Sequence, residues 1–395
     1  MKPLQMMIPA AVSALMLACA GSAPEVAVTV SNQAEGTFES QTVELSAAEI
    51  LERLGTRGFE VRDAAGEVVP SQLTHDSLII FRTTVSAGGQ AVYHIAGLDT
   101  MPHYPAVACG RIYPERADDV AWENELVGFR VYGPGTQAKG ERAYGYDIFL
   151  KHRNREPILE QLYGPETSPE VWARVDSLRA IDPALADEYI NTFSYHVDHG
   201  LGMDCYAVGP TLGAGVAALM DGDEIVYPWC YRHAEILDNG PVRFTLRLDF
   251  NPITVGTDSA VVEHRIISLD EGSQLNRCRV WYDGLSGCTA VAAGIPLRDN
   301  PETFVCGCMA AVADPTQGPD NGKALIGIVM DSGSCEPVYT DGHLLLADNI
   351  SAGRTLDYMW GFAWDREGAY PDIQSWSDYL RKADHTRQNP FKINY

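Results

Sequence analysis

Val242-Arg-Phe-Thr-Leu-Arg-Leu-Asp-Phe250 alternates without a break: Val242, Phe244, Leu246, Leu248 and Phe250 point one way, and Arg243, Thr245, Arg247 and Asp249 point the other. A period of two belongs to an extended strand, and one apolar face beside one polar face belongs to an antiparallel sheet buried on a single side. The pattern recurs downstream, where Val262, His264 and Ile266 alternate with Glu263, Arg265 and Ile267. Asp221-Gly222, Asn239-Gly240 and Asp283-Gly284 supply tight turns between such strands. Repeated strands and turns of this kind predict a mainly β chain built as a large antiparallel sandwich with a few helices.

Working outward, Tyr358, Trp360, Phe362 and Trp364 alternate with Met359, Gly361 and Ala363, which puts a ladder of rings on one strand face. Large rings dominate core energetics, so the ladder reads as core; a glycan-stacking face is the alternative. Asp372 is placed to cap a following helix whose apolar stripe is Ile373, Trp376, Tyr379 and Leu380. Towards the N-terminus, residues 24–100 read as a small β-module, with Ser46 and Glu49 forming a capping box for one short helix. Residues 105–395 read as the sandwich. Within it, unbroken alternation from Trp122 to Tyr132 would put Trp122, Asn124, Leu126, Gly128, Arg130 and Tyr132 on one face and Val127, Phe129 and Val131 in the core. The first face offers a sugar an indole, an amide, a guanidinium and a phenol. Val171, Trp172, Val175, Leu178 and Ile181 recur at helical spacing, so residues 168–191 read as a helical insertion broken at Pro183.

The ends and totals bound the function. Residues 1–18 carry Lys2 and then a short apolar run, an export signal too brief to span a bilayer. Ala18 before Cys19 suits cleavage and lipid attachment at Cys19, although Met16 stands where such signals usually have leucine; ordinary cleavage near Ala20 is the alternative. The expected location is therefore periplasmic, or the outer membrane and cell surface, with membrane contact only through the lipid. A net charge of -24 argues against a nucleic-acid partner, which needs a basic stripe. Of the nine cysteines, eight remain if Cys19 is lipidated, and an exported chain with that number is expected to form disulfides. Cys306 and Cys308 share one side of an extended strand and are poorly placed to bond each other.

The stretch richest in chemistry is Tyr195–Gly215, YHVDHGLGMDCYAVGPTLGAG, with paired histidines, aspartates and tyrosines. Gly200, Gly202, Gly209, Gly213 and Gly215 allow backbone shapes in which several side chains converge on one ligand. His196, His199, Tyr195, Tyr206 and Asp204 are the candidate catalytic residues, and Trp122, Asn124, Arg130, Tyr132, Arg243 and Arg265 the candidate substrate-binding ones. No cofactor is required by this pattern. A divalent metal on His196, His199 and Asp204 is an alternative, because histidines three apart share a face on a helical turn. No HExxH, GxSxG, P-loop or dinucleotide fingerprint accompanies them.

Two carbohydrate chemistries remain. A lyase removes the proton α to a uronate carboxylate, using a histidine or tyrosine base and a cationic or amide partner for the developing charge. A glycoside hydrolase needs two carboxyl groups, for which Glu123, Asp147 and Asp204 are available. The segments AWENELVGFRVYGP, YHVDHGLGMDCYAVGPTLG and NGPVRFTLRLDF together resemble a family of uncharacterised, exported bacterial proteins carrying a domain of unknown function. Its members are often encoded beside pectin- or uronate-polysaccharide-degrading enzymes. This chain departs from the family at Leu201 and Ala207, where polar or charged residues are usual, which puts a role for either position in doubt. The family is similar to the galactose-mutarotase-like β-supersandwich, a fold that several lyases and hydrolases share and that fixes no function by itself. The resemblance implies a carbohydrate-active enzyme. A lyase acting on an acidic polysaccharide or oligosaccharide is the first expectation, with a hydrolase or a non-catalytic glycan-binding lipoprotein as the alternatives.

Overall fold

A computed structural model describes residues 24–154 and 156–395. The export signal, Cys19 and the alternative cleavage point at Ala20 lie outside the described residues.

The expected alternation builds the largest sheet. Its order is Tyr231–Asn239, Arg243–Phe250, Asp258–Asp270, Leu275–Asp283, Thr355–Trp364, Ala324–Met330, Met309–Asp314 and Thr303–Cys306, with Ile253–Val255 paired onto Asp258–Asp270 as the ninth strand. All its pairings are antiparallel. Two five-stranded sheets share a core with it. One carries Ala217–Asp221, Cys288–Pro296 and His343–Ser351, and the other Asp119–Glu123, Gly128–Val131 and Tyr146–Lys151. The two meet at a parallel bridge between Tyr146 and Gly213. Gly213 has φ 57°, and a Cβ there would collide with the Tyr146 carbonyl, so the junction needs glycine. The result is a mainly β antiparallel sandwich, as the sequence predicts.

Rings fill the space between the sheets. Tyr146 stacks on Trp360 at 3.9 Å, Phe129 meets Trp360 edge-on at 4.9 Å, and Trp122 stacks on Phe244 at 6.0 Å. Tyr358, Trp360, Phe362 and Trp364 are all buried, so the ring ladder is core and offers no glycan-stacking face. On the outer side of the same sheet, the helix Ile373–Gln388 is capped by Asp372 and buries Trp376 and Leu380. Gly327 gives it room, since a Cβ there would lie 2.8 Å from Leu380 and from Trp376.

Two expectations are corrected, at Trp122 to Tyr132 and in the helical insertion, while the alternation read in Asp258–Asp270 holds and gains a direction. Trp122 to Tyr132 is a hairpin and not one strand: Asn124 Oδ1 accepts from Leu126 N and Val127 N and turns the chain, so Trp122 pairs with Phe129 in the core. Crossing the turn reverses parity, which puts Asp119, Ala121 and Glu123 on the side of Arg130. On Asp258–Asp270 the inward face carries Glu263, Arg265 and Ile267, because Arg265 pairs with Glu263 and donates to Tyr146 Oη at 3.0 Å. In the helical insertion, Leu159–Thr167, Pro169–Arg179 and Pro183–Asn191 form, yet Ile181 is 76% exposed and Trp172 is exposed too. Ser168 and Asp182 cap separate helices, so no continuous stripe runs through them.

Residues 24–98 form two further sheets around their own core of Val26, Val28, Ile50, Phe59, Val61 and Ile95. Ser46 caps the helix Ala47–Leu54 as expected. The chain's last strand, Lys392–Asn394, returns to pair with Glu25–Ser31. Arg243 fastens these sheets to the sandwich, with ion pairs to Asp270 and Glu44 at 2.6 Å and its carbonyl bonded to Gln72. Among the described residues one disulfide forms, between Cys308 and Cys335.

Candidate active site

The site lies on the outer face of the sheet that contains Asp119–Glu123, Gly128–Val131 and Tyr146–Lys151. Period-two alternation points Asp119, Arg130 and Asp147 out of the sandwich core, and register sets Arg130 directly opposite Asp147. The helix Leu159–Thr167, through Leu159, Leu162 and Tyr163, and Tyr195 cover part of this face by packing on Tyr113 and Phe149. A cavity of about 310 Å³ stays open beside them, lined among others by Arg116, Asp119, Arg130, Tyr132, His196 and Tyr206.

Arg130 is its buried hub. The guanidinium binds Asp147 through Nε at 3.0 Å and Asp204 through Nη2 at 2.8 Å, and also donates to Tyr132 Oη at 3.0 Å. The Tyr132 hydroxyl donates to Asp147 Oδ2 at 2.6 Å, so Asp147 receives bonds from two sides. Such a network is held rigid because each member would be costly to bury alone. Burial, reinforced by the neighbouring Asp147 charge, lifts the Asp204 carboxyl to about 6 despite Arg130. Burial likewise lifts Asp119 to about 6, where it accepts from Gly133 N at 3.0 Å and from Thr136 Oγ1 at 3.3 Å.

The glycine-rich loop delivers the remaining groups. All five of its named glycines have positive φ, from 57° to 116°. Asp204 N donates to the Tyr195 carbonyl at 2.8 Å, and the His196 ring returns a bond from Nδ1 to the Asp204 carbonyl at 2.8 Å. A carbonyl only accepts, so Nδ1 carries the proton and Nε2 keeps its lone pair. The His196 side chain is 56% exposed, with Asp204 Oδ2 at 3.9 Å. Tyr195 is buried behind it, its hydroxyl bonded to Arg116. Arg116 Nε, a buried atom of a cavity-lining residue, lacks a partner, while the Arg298 guanidinium lies 4.7 Å from the ring of buried Tyr206 and faces its hydroxyl.

The structure thus brings together His196, Asp204, Tyr206, Arg130 and Tyr132, with Tyr195 as support. His199 is exposed and lies outside the cavity lining. Among the described residues no three His, Cys, Asp or Glu side chains are arranged to hold a metal ion, so His196, His199 and Asp204 do not form the expected ligand set. Trp122 and Arg265 are buried in the sandwich, Asn124 is consumed by its turn and by bonds to the Asp270 and Ser273 carbonyls, and Arg243 joins the two sets of sheets. None of these four lines the cavity. Glu123 is also committed elsewhere: it binds Lys151 at 2.6 Å and caps the helix Leu159–Thr167 through Ile158 N and Leu159 N. Arg116 and Asp119 were not expected from the sequence. Asp119 carries a usable signal, since it lies two and four residues before Ala121 and Glu123 on one face, whereas Arg116 in its short 3-10 turn carries none.

Among solved structures, the chain is similar to an alpha-mannosidase from Enterococcus faecalis V583, at 9% identity and a TM-score of 0.47 over 94% of this chain and 46% of that one. A protein in the Glycosyl Hydrolase Family 38 from Enterococcus faecalis matches at 10% identity and the same TM-score, over 93% of this chain and 47% of that one. The chain therefore spans about half the length of the solved structures it matches. Uncharacterized protein P7 of Formosa agariphila is 24% identical over 388 residues, covering 93% of this chain and 92% of the relative. The match to a family model extends over residues 30–393, and the chain belongs to that family, the Domain of unknown function (DUF4861).

Proposed function

We propose that this protein is an exported carbohydrate-active enzyme that cleaves a uronate-containing polysaccharide or oligosaccharide by β-elimination. The observation that carries the reading is one polar cavity in which the half-exposed His196 ring, bonded through Nδ1 to the Asp204 carbonyl, stands beside Arg116 and the buried Arg130–Asp147–Asp204 network. In the proposed step His196 Nε2 takes the sugar proton α to the carboxylate. The electron pair left behind forms the new carbon–carbon double bond as the glycosidic C–O bond breaks. Tyr206 gives its proton to the departing oxygen, and Arg116 donates to the substrate carboxylate, whose charge grows as the α-proton leaves. Asp204, through its carbonyl, holds the imidazole tautomer that leaves Nε2 free. With Asp119 and Asp204 both titrating near 6, the cavity sheds negative charge in mildly acidic water, which favours an acidic sugar.

The test is ultraviolet absorbance of the unsaturated uronate product across a panel of polyuronides, with reducing ends counted in parallel. New reducing ends without that absorbance would replace this reading by hydrolysis. The same raised carboxyls favour hydrolysis as the second reading, because Asp119 and Asp204 in one cavity offer a proton donor and a base. Hydrolysis predicts that Asp119→Asn abolishes turnover while His196→Ala does not. Export with lipidation at Cys19 is part of the proposal and rests on residues 1–19. Labelled fatty acid should enter the wild-type chain and not Cys19→Ser.

A further inference from the structure

Three rings stand at the surface away from the ring ladder. Trp229 is 45% exposed, Tyr144 packs against it at 6.3 Å, and Tyr227 packs against Tyr144 at 5.4 Å and 30°. Trp229 is the exposed member and the two tyrosines are half-buried beside it; a patch of adjoining rings marks a binding site more often than an isolated ring does. This cluster is also fixed in place. The Tyr227 hydroxyl bonds to Asp341, the His343 Nδ1–H donates to the Asp341 carbonyl at 2.6 Å, and Leu212 N donates to His343 Nε2 at 3.2 Å.

Both ends of that arrangement lie close in the chain to residues that line the cavity. Tyr144 follows cavity-lining Glu141 by three residues, a span of at most about 11 Å. Leu212 likewise follows cavity-lining Gly209 by three residues in the glycine-rich loop. We infer that Tyr144, Tyr227 and Trp229 form a stacking subsite for a sugar unit of the chain whose neighbour occupies the cavity. A pyranose has an apolar C–H face and a hydroxyl rim, and a rigid ring surface binds the first while leaving the second in water. The inference rests on the carbohydrate reading of the cavity, and it adds that the substrate is an oligomer or polymer and not a single sugar.

The test measures binding by calorimetry to the full chain carrying His196→Ala, so that ligand is not consumed. The probes are galacturonate, glucuronate and mannuronate oligomers of two, four and six units. Adding Trp229→Ala should weaken the six-unit Kd at least tenfold and leave the two-unit Kd unchanged, with Tyr144→Ala acting in the same direction. Equal weakening at every length, no weakening, or no binding of any oligomer overturns the subsite. Binding that depends on Trp229, together with no cleavage of any probe by the wild-type chain, leaves the subsite standing and removes only the catalytic reading. Circular dichroism of Trp229→Ala checks that the fold survives.

Discussion

Replacing His196 by alanine separates catalysis from stability more cleanly than any other change at the site. Its side chain is half exposed, so its removal sacrifices little packing and one hydrogen bond, from Nδ1 to the Asp204 carbonyl. A single bond of that kind contributes about 1 kcal/mol. A positioned base contributes about 10²- to 10⁴-fold in rate, or about 3–5 kcal/mol of barrier. Initial rates from product absorbance on the most responsive polyuronide should therefore fall by about a hundredfold or more. Unfolding in urea should shift by about 1 kcal/mol. His199→Ala is the internal control, since that residue lies outside the cavity lining and should keep wild-type turnover. A His196→Ala enzyme with a third or more of wild-type kcat would refute the reasoning, because no other group at the cavity is left with a free basic nitrogen in the assigned tautomer.

Four other outcomes follow from the same geometry. Asp119 is held at about 6 by burial, so the folded state binds its proton more tightly than the unfolded chain does; that contribution is full below about pH 4 and is lost as pH rises through 6. Asp119→Asn should flatten denaturant stability across that window by up to about 3 kcal/mol. Glu123→Gln breaks a buried pair with Lys151 and should destabilise by about 3–5 kcal/mol in chemical denaturation, while kcat per folded molecule is unchanged. Cys335→Ser opens a cross-link spanning 27 residues and should lower urea stability by about 3–4 kcal/mol. Trp360→Ala should cost about 3–5 kcal/mol by leaving a cavity among Tyr146, Trp122 and Phe129, seen as a lower melting temperature.

Where one face of a strand meets the core and the other meets water, the residues announced their direction. Phe244, Leu246 and Leu248 are buried as their alternation requires. Legibility failed where both faces are covered. Arg265 points inward because Glu263 on the same face neutralises it, and no pattern in the local sequence distinguishes a paired arginine from a solvated one. It failed again at Asn124, which closes a turn with its side chain inside an otherwise alternating run that contains neither proline nor an Asn-Gly step. The glycine-rich loop disclosed His196, Asp204 and Tyr206 because they are close in sequence. Arg116 reaches the same cavity from a short 3-10 turn and Asp119 from a strand, both many residues before the loop, and only the alternation of Asp119 with Ala121 and Glu123 leaves a local trace.

The outer sheet face supports the proposal that the charged hub serves function more than stability. Its apolar part, around Phe149 and Tyr113, is sealed by the helix Leu159–Thr167 and Tyr195. Sealing the rest with aliphatic side chains would serve folding at least as well, since buried ion pairs seldom outperform well-packed hydrophobic residues. Instead Arg130 sits between Asp147 and Asp204, and the carboxyl of Asp204 is displaced to about 6. Strongly perturbed carboxyls cluster where proton transfer or charge recognition takes place. The cavity beside that network sharpens the point, because it leaves room for a ligand against Arg116, Arg130 and the half-exposed His196.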